Sequence, residues 1–169
     1  MKILLTGGAG YIGSELISFL LKNGHKVTAL DTLEYGSSSL LRYIGHENFC
    51  FSKVDVRRKE LVKPYLEESD VIIPLACLVG FPLCEQKPHQ AKEINFEVNK
   101  WIAQNKSRDQ RVIYPCTNSG YGASINGEVC TEDSPLNPVS VYGITKVDAE
   151  KVYQQTEGCC TLRLATVFG

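Results

Sequence analysis

Apolar residues in this chain fall into two alternating patterns. Some form short continuous runs, as expected of strands buried on both faces. Others recur at three- and four-residue spacing, as expected of helices with one apolar face. The first run, Lys2–Thr6, breaks at once into glycines, and residues 14–23 then carry Leu16, Ile17, Leu20 and Leu21 at helical spacing, with Gly24 as the stop. A second strand, 26–30, ends at Asp31 and gives way to a Gly- and Ser-rich stretch over 32–39. Residues 48–56 read as a third strand, 58–68 as a short amphipathic helix interrupted by Pro64, and 70–76 as a fourth strand. A loop with two prolines spans 77–88, and a helix over 89–106 places Ile94, Val98, Trp101 and Ile102 on one side. A fifth strand (110–116), a long loop (117–138), a helix (141–156) and a sixth strand (159–168) complete the pattern.

Six strands alternating with helices predict an α/β fold with a parallel sheet covered on both faces. Right-handed crossovers make it doubly wound, a Rossmann fold. The 169 residues suit one domain, and no composition shift or repeat marks a boundary. Lys plus Arg is 18 against 19 Asp plus Glu, which lacks the basic excess of a dedicated nucleic-acid binder. No apolar run reaches membrane-spanning length, and the glycines after Thr6 cut short any signal-peptide core, so a cytoplasmic location is expected. The seven cysteines are odd in number and show no zinc spacing. They read as reduced core thiols, with no metal site.

Chemistry first shows in the turn after the first strand. Gly8, Gly10 and Gly13 fit G-x-G-x-x-G, and Gly7, Gly10 and Gly13 fit G-x-x-G-x-x-G, between a strand and a helix. A backbone without side chains approaches a pyrophosphate closely, and the helix start beyond it offers N–H groups and a partial positive charge. Asp31, 18 residues past Gly13, is placed to accept hydrogen bonds from both ribose hydroxyls of an adenosine and to repel a 2′-phosphate. The first Arg after it is Arg42, so NAD is favoured over NADP.

The turn Thr6-Gly-Gly-Ala-Gly-Tyr-Ile-Gly13, Asp31, Asp55-Val56, Leu75-Ala76, Thr117 and Tyr142-x-x-x-Lys146 together resemble an extended short-chain dehydrogenase/reductase. More narrowly, they are similar to the NAD-dependent epimerase/dehydratase group acting on nucleotide sugars, across the whole chain. The resemblance implies a cofactor site at Gly7, Gly10, Tyr11, Ile12, Gly13, Asp31, Asp55, Val56, Leu75, Ala76, Asn95 and Lys146. In it Asp55-Val56 contacts adenine, Leu75-Ala76-Cys77 lines the nicotinamide side, and Asn95 holds the active-site backbone. Pro74 stands where the family usually has His.

The implied catalytic set is Thr117, Tyr142 and Lys146. Tyr142 and Lys146 share a helix face, though Tyr-x-x-x-Lys on its own is commonly an ordinary helix pair. A phenol of pKa about 10 needs a nearby ammonium, and the charge of an oxidised nicotinamide, to act as a base near neutral pH. Thr117, with Ser119 as second candidate, would hydrogen-bond the reacting sugar oxygen. The 4,6-dehydratases usually continue with Asp and Glu after this Thr, whereas here Asn118 and Ser119 follow, so epimerisation or simple redox chemistry is favoured. Glu128 and Glu132 lie in the loop but do not match the acid pattern. A catalytically silent dinucleotide sensor is the competing class, and the retained Thr117, Tyr142 and Lys146 weigh against it. Cys84 reads as buried, and His46 and His89 as solvated. The resemblance further implies a homodimer packed through the 89–106 and 141–156 helices, and a substrate domain largely absent from the chain, leaving an exposed apolar flank.

Overall fold

The computed structural model describes residues 1–123 and 129–168. Glu128 lies outside the described residues. Among the described residues, six parallel strands form one sheet in the order β3-β2-β1-β4-β5-β6. They are β1 (Lys2–Thr6), β2 (Lys26–Asp31), β3 (Phe49–Lys53), β4 (Val71–Pro74), β5 (Arg111–Thr117) and β6 (Cys159–Leu164). Between them lie α1 (Tyr11–Lys22), α2 (Lys59–Glu67), α3 (Phe81–Gln86), α4 (Pro88–Ala91), α5 (Val98–Asn105) and α6 (Val141–Gln154). The chain is the doubly wound α/β fold expected from its alternating periods.

The two-residue strand period sorts the core into two layers. Ile3, Leu5, Val27, Ala29, Val71 and Ile73 point to one face and pack with Ile17, Leu20 and Leu21 of α1. Leu4, Leu30, Ile72, Val112, Tyr114 and Cys116 point to the other, against Val62 and Leu66 of α2, Val98 and Ile102 of α5, and Ala149 and Tyr153 of α6. The first layer thins toward β6, where Leu162 stays 45% exposed and Phe168 is 88% exposed, so an apolar flank is open there.

Several expected boundaries shift. α1 starts at Tyr11 because Gly10 is its N-cap. Within the polar stretch after Asp31, Ser38–Tyr43 forms a 3-10 helix that buries Leu40 and Tyr43. The expected loop over 77–88 contains α3, with Pro82 in its first turn, where a missing N–H costs nothing. The expected helix over 89–106 is α4, a π-helical stretch (Lys92–Glu97) and α5 in succession. Strand β6 stops at Leu164, short of Phe168. Of the seven cysteines, all free, Cys84 and Cys116 are buried while Cys50, Cys130 and Cys160 are exposed, so "core thiols" holds for only some.

The long loop after β5 is anchored by charge. Glu150 on α6 is 1% exposed at its side chain and pairs with Arg163 of β6 at 2.9 Å. Thr161 Oγ1 donates to Glu150 Oε1, and Cys116 Sγ lies 3.5 Å from Oε2. Arg163 Nη1 reaches across to the Tyr121 hydroxyl and the Glu132 carbonyl. A buried charge deprived of its partner is far costlier than a neutral pair of similar volume. Glu150→Ala should therefore lower unfolding free energy by about 3–5 kcal/mol in chemical denaturation, while Glu150→Leu combined with Arg163→Met should recover most of it.

Candidate active site

In an open parallel sheet the strands on either side of an order reversal send their connections to opposite faces, leaving a crevice at the carboxyl ends. Here the reversal lies between β1 and β4. A cleft of about 510 Å³ opens at this point, and it is walled by the turn after β1, the ends of β2 through β6, and the start of α6.

The glycine turn sits at its centre. Gly7 has φ +73°, and a Cβ there would come within 2.6 Å of the Ala76 backbone nitrogen. A Cβ at Gly13 would come equally close to the Gly7 carbonyl oxygen. Gly10 differs: among the described residues a Cβ there would meet only the Gly7 oxygen, at 3.2 Å, so its other side is open to the cleft. The first-turn N–H groups of a helix have no intrahelical partner. An exposed backbone leading into them fits the diphosphate of a dinucleotide.

Asp31 ends β2 beside this turn. Its carboxylate accepts from the Ala9 N–H at 3.0 Å and the Leu33 N–H at 2.8 Å, which fixes its direction at the cleft wall. Asp55 and Val56 follow β3. The Asp55 carboxylate is gripped by Arg57, with Nη2 at 2.6 Å from Oδ2 and Nε at 3.0 Å from Oδ1. Hydrogen bonding by Arg57 holds its carboxyl below the usual carboxylate value. Leu75 and Ala76 form the opposite wall, where the Ala76 N–H donates to Thr6 Oγ1.

Thr117, Tyr142 and Lys146 line the same cleft. Ser140 caps α6 through the Gly143 N–H at 3.0 Å, which sets Tyr142 in the first turn. Thr117 Oγ1 accepts from the Ser119 N–H and donates to Ser119 Oγ. Ser119 itself is exposed and stands outside the cleft wall. Lys146 is buried; its Nζ donates to the Pro115 carbonyl at 2.6 Å and lies 4.1 Å from the Tyr114 ring centroid.

Burial pushes the Tyr142 phenol up to about 12, the Cys77, Cys116 and Cys84 thiols add to the rise, and the Thr117 hydrogen bond opposes it. In the unliganded cleft the phenol is thus held toward its neutral form.

Asn95 is the one candidate that stands behind the wall rather than in it. It is fully buried in the π-helical stretch. Its Oδ1 accepts from the Leu78 N–H at 2.8 Å, and its Nδ2 donates to the Leu78 carbonyl at 3.0 Å and to Thr145 Oγ1. It fixes backbone next to Cys77 and Lys146, in line with the backbone-holding role and not with direct contact. Sequence reasoning passed over Arg57 and Cys116, which both line the cleft, as does Cys77, expected there beside Leu75 and Ala76. Arg57, two residues beyond a strand-ending Asp, left a trace in the sequence; the Cys116 thiol left none. His46 and His89 are exposed and Cys84 is buried, as read. Among the described residues no group of His, Cys, Asp and Glu could hold a metal ion, and no helix is long and apolar enough to cross a membrane.

Residues 3–169 match the profile of the NAD dependent epimerase/dehydratase family. Protein CapI of Staphylococcus aureus is 34% identical over the whole chain, which covers 55% of that protein. The UDP-glucuronic acid 4-epimerase of Bacillus cereus, solved in complex with NAD, superposes with a TM-score of 0.88 at 27% identity, covering 100% of this chain and 57% of that one. A dTDP-glucose 4,6-dehydratase from Streptomyces venezuelae, also with NAD bound, gives 0.84 at 28% identity, covering 95% and 54% respectively. The chain thus spans about half the length of the relatives it matches. With its sheet order, glycine turn and cleft, the chain belongs to the NAD dependent epimerase/dehydratase family.

Proposed function

We propose that this chain is the NAD-binding domain, with the catalytic groups, of a nucleotide-sugar epimerase. The observation that carries the reading is the convergence of the glycine turn with Thr117, Tyr142 and Lys146 on one cleft at the strands' carboxyl ends. In this reading Gly7, Gly10, Tyr11, Ile12 and Gly13 seat the diphosphate, and Asp31 receives the ribose hydroxyls. When bound, the nicotinamide supplies a reversible hydride acceptor and, in its oxidised form, a positive charge. Tyr142 Oη removes the proton of a sugar hydroxyl and returns it, and Thr117 holds that hydroxyl oxygen. Lys146 brings an ammonium into a pocket where burial works against ionisation. Selective contacts to the sugar nucleotide belong to a second domain outside residues 1–169. A homodimer and a cytoplasmic location complete the reading.

Dehydration is the nearest alternative, as one solved neighbour is a dehydratase. Elimination of water needs an acid and a base beyond the Tyr. The residues after Thr117 are Asn118 and Ser119, both exposed and neither able to do that work near neutral pH. A silent dinucleotide sensor would have no use for a buried ammonium and a half-buried phenol in one cleft.

Two outcomes are expected. In the active protein containing this chain, Tyr142→Phe should lower UDP-hexose isomerisation, followed by separation of the sugar nucleotides, by about 10²- to 10⁴-fold, with NAD affinity retained. Full activity in the variant would remove Tyr142 from its role. The second outcome concerns pH. The Tyr142 phenol ionises near 10 when unfolded and only at about 12 when folded. Its contribution to stability is thus complete below the first value and is lost as pH rises toward the second. Thermal unfolding midpoints should fall across that alkaline window, less steeply in Tyr142→Phe. Saturating NAD should bring the Tyr142 ultraviolet titration to lower pH, read as the difference between wild type and Tyr142→Phe.

A further inference from the structure

The helix that carries Tyr142 and Lys146 is held by different means along its length. Around Lys146 the sheet itself fastens it. The ammonium donates to the Pro115 carbonyl at 2.6 Å, and the Tyr114 hydroxyl donates to the Lys146 carbonyl at 3.3 Å. One residue earlier, Thr145 Oγ1 accepts from Asn95 Nδ2 at 3.3 Å. Tyr142 lies one turn ahead of these ties. The Ser140 cap and the Thr145 bonds to the Val141 and Tyr142 carbonyls belong to the helix and move with it. They fix its shape but not its place.

A second element reaches the first turn. Glu85 of α3 accepts through Oε1 from the Val141 N–H at 2.9 Å, across 56 residues of chain. Val141 opens α6, so its N–H is one of the first-turn donors that have no intrahelical partner. The helix dipole favours a carboxylate there. α3 is itself anchored. Cys84, next to Glu85, is fully buried, and its Sγ donates to the Leu78 carbonyl at 3.1 Å. Leu83, Val141 and Tyr142 pack against the buried cluster of Leu78, Cys84 and Ala91. Asn95 clamps the Leu78 backbone. Glu85 and Asn95 therefore engage α6 at Val141 and at Thr145, one turn apart. A single tie leaves a pivot, whereas two ties a turn apart define both the direction of the axis and the face it presents.

We propose that Glu85 is a positioning residue: by accepting from the Val141 N–H it fixes the first turn of α6 and so aims the Tyr142 hydroxyl at the reacting oxygen of the substrate. This rests on the role proposed for Tyr142 and adds a residue to it. Glu85 is exposed and lies outside the cleft wall. Its effect therefore falls on the proton-transfer step and not on binding.

Three substitutions separate reach from charge. Glu85→Ala removes the acceptor. Glu85→Asp keeps the charge on a shorter side chain. Glu85→Gln keeps an oxygen at full length without the charge. In the active protein containing this chain, kcat for UDP-hexose isomerisation should fall about 10- to 100-fold in Glu85→Ala and Glu85→Asp, the cost of a displaced catalytic group. KM and NAD affinity should be unchanged, and Glu85→Gln should recover most of the loss. A second readout needs no turnover. The Tyr142 ultraviolet titration, taken as the difference between each protein and its Tyr142→Phe counterpart, should move to lower pH in Glu85→Asp, because a first turn no longer held lets water reach the phenol. Wild-type kcat in Glu85→Ala would overturn the proposal. Equal losses in Glu85→Gln and Glu85→Ala would also overturn it, because charge would then be at work. So would a fall in NAD affinity in step with kcat, which marks a disturbed cleft rather than a misdirected phenol. A wild type that isomerises no UDP-hexose would overturn the proposed function instead, and an unmoved Tyr142 titration in Glu85→Asp would overturn the positioning role whatever the activity.

Discussion

The arrangement depends on a backbone contact that leaves no room for a side chain. The turn after β1 passes so near the start of the segment after β4 that a Cβ on Gly7 would meet Ala76 backbone atoms at 2.6–2.8 Å. The Gly7 N–H donates to the Leu30 carbonyl at 2.7 Å, and the Leu75 N–H to the Thr6 carbonyl at 2.9 Å. The turn is thereby tied to β2 on one side and β4 on the other, across the place where strand order reverses. Every other part of the cleft is positioned relative to this junction. Asp31 continues from the strand that holds Gly7, and Ala76 leads through Cys77 to Leu78, which Asn95 clamps.

That clamp shows why the π-helical stretch belongs to the site. A widened turn disturbs the helical hydrogen-bond ladder, and such turns recur at functional sites. Asn99 Nδ2 donates to the Asn95 carbonyl at 3.0 Å and to that of Ile94 at 3.4 Å, and Asn99 Oδ1 accepts from the Tyr153 hydroxyl. The stretch is satisfied by side chains, and Asn95 is left to bond Leu78 and Thr145. Thr145 precedes Lys146, so one buried amide couples the cleft wall at Leu78 to the helix bearing Tyr142 and Lys146. The glutamate at the head of this stretch, Glu93, is exposed and adds little through its 3.7 Å pairing with Arg57.

Features set by local spacing could be read from the sequence. Five-residue apolar runs marked strands, and the glycines, Asp31 and Tyr142-x-x-x-Lys146 declared themselves by their distance from strand ends. Short elements could not be read. Ser38–Tyr43 buries only Leu40 and Tyr43 inside a polar stretch, which gives no period to detect. In α3 the Phe-Pro pair looked like a break, although Pro early in a helix is favourable. The deeper limit concerns partners distant in sequence. Glu150 acquires its meaning from Arg163, Cys116 and Thr161. Asn95 acquires its meaning from a backbone group 17 residues away. Both are products of the folded sheet, and neither carries a mark in its own neighbourhood.

The electrostatics of Tyr142 follow from the same distinction. Four-residue spacing put Lys146 on the face of Tyr142 and suggested a charge pair. Folding gave the ammonium a carbonyl at 2.6 Å and an aromatic face at 4.1 Å, while three thiols and burial surrounded the phenol. An ammonium has three donors, and one hydrogen bond does not exhaust it. The contact with Pro115 therefore reads as an anchor, keeping Lys146 at the cleft wall despite the desolvation that burial imposes. On the proposed function, this upward shift is what positive charge entering the cleft would have to offset before Tyr142 could act as a base.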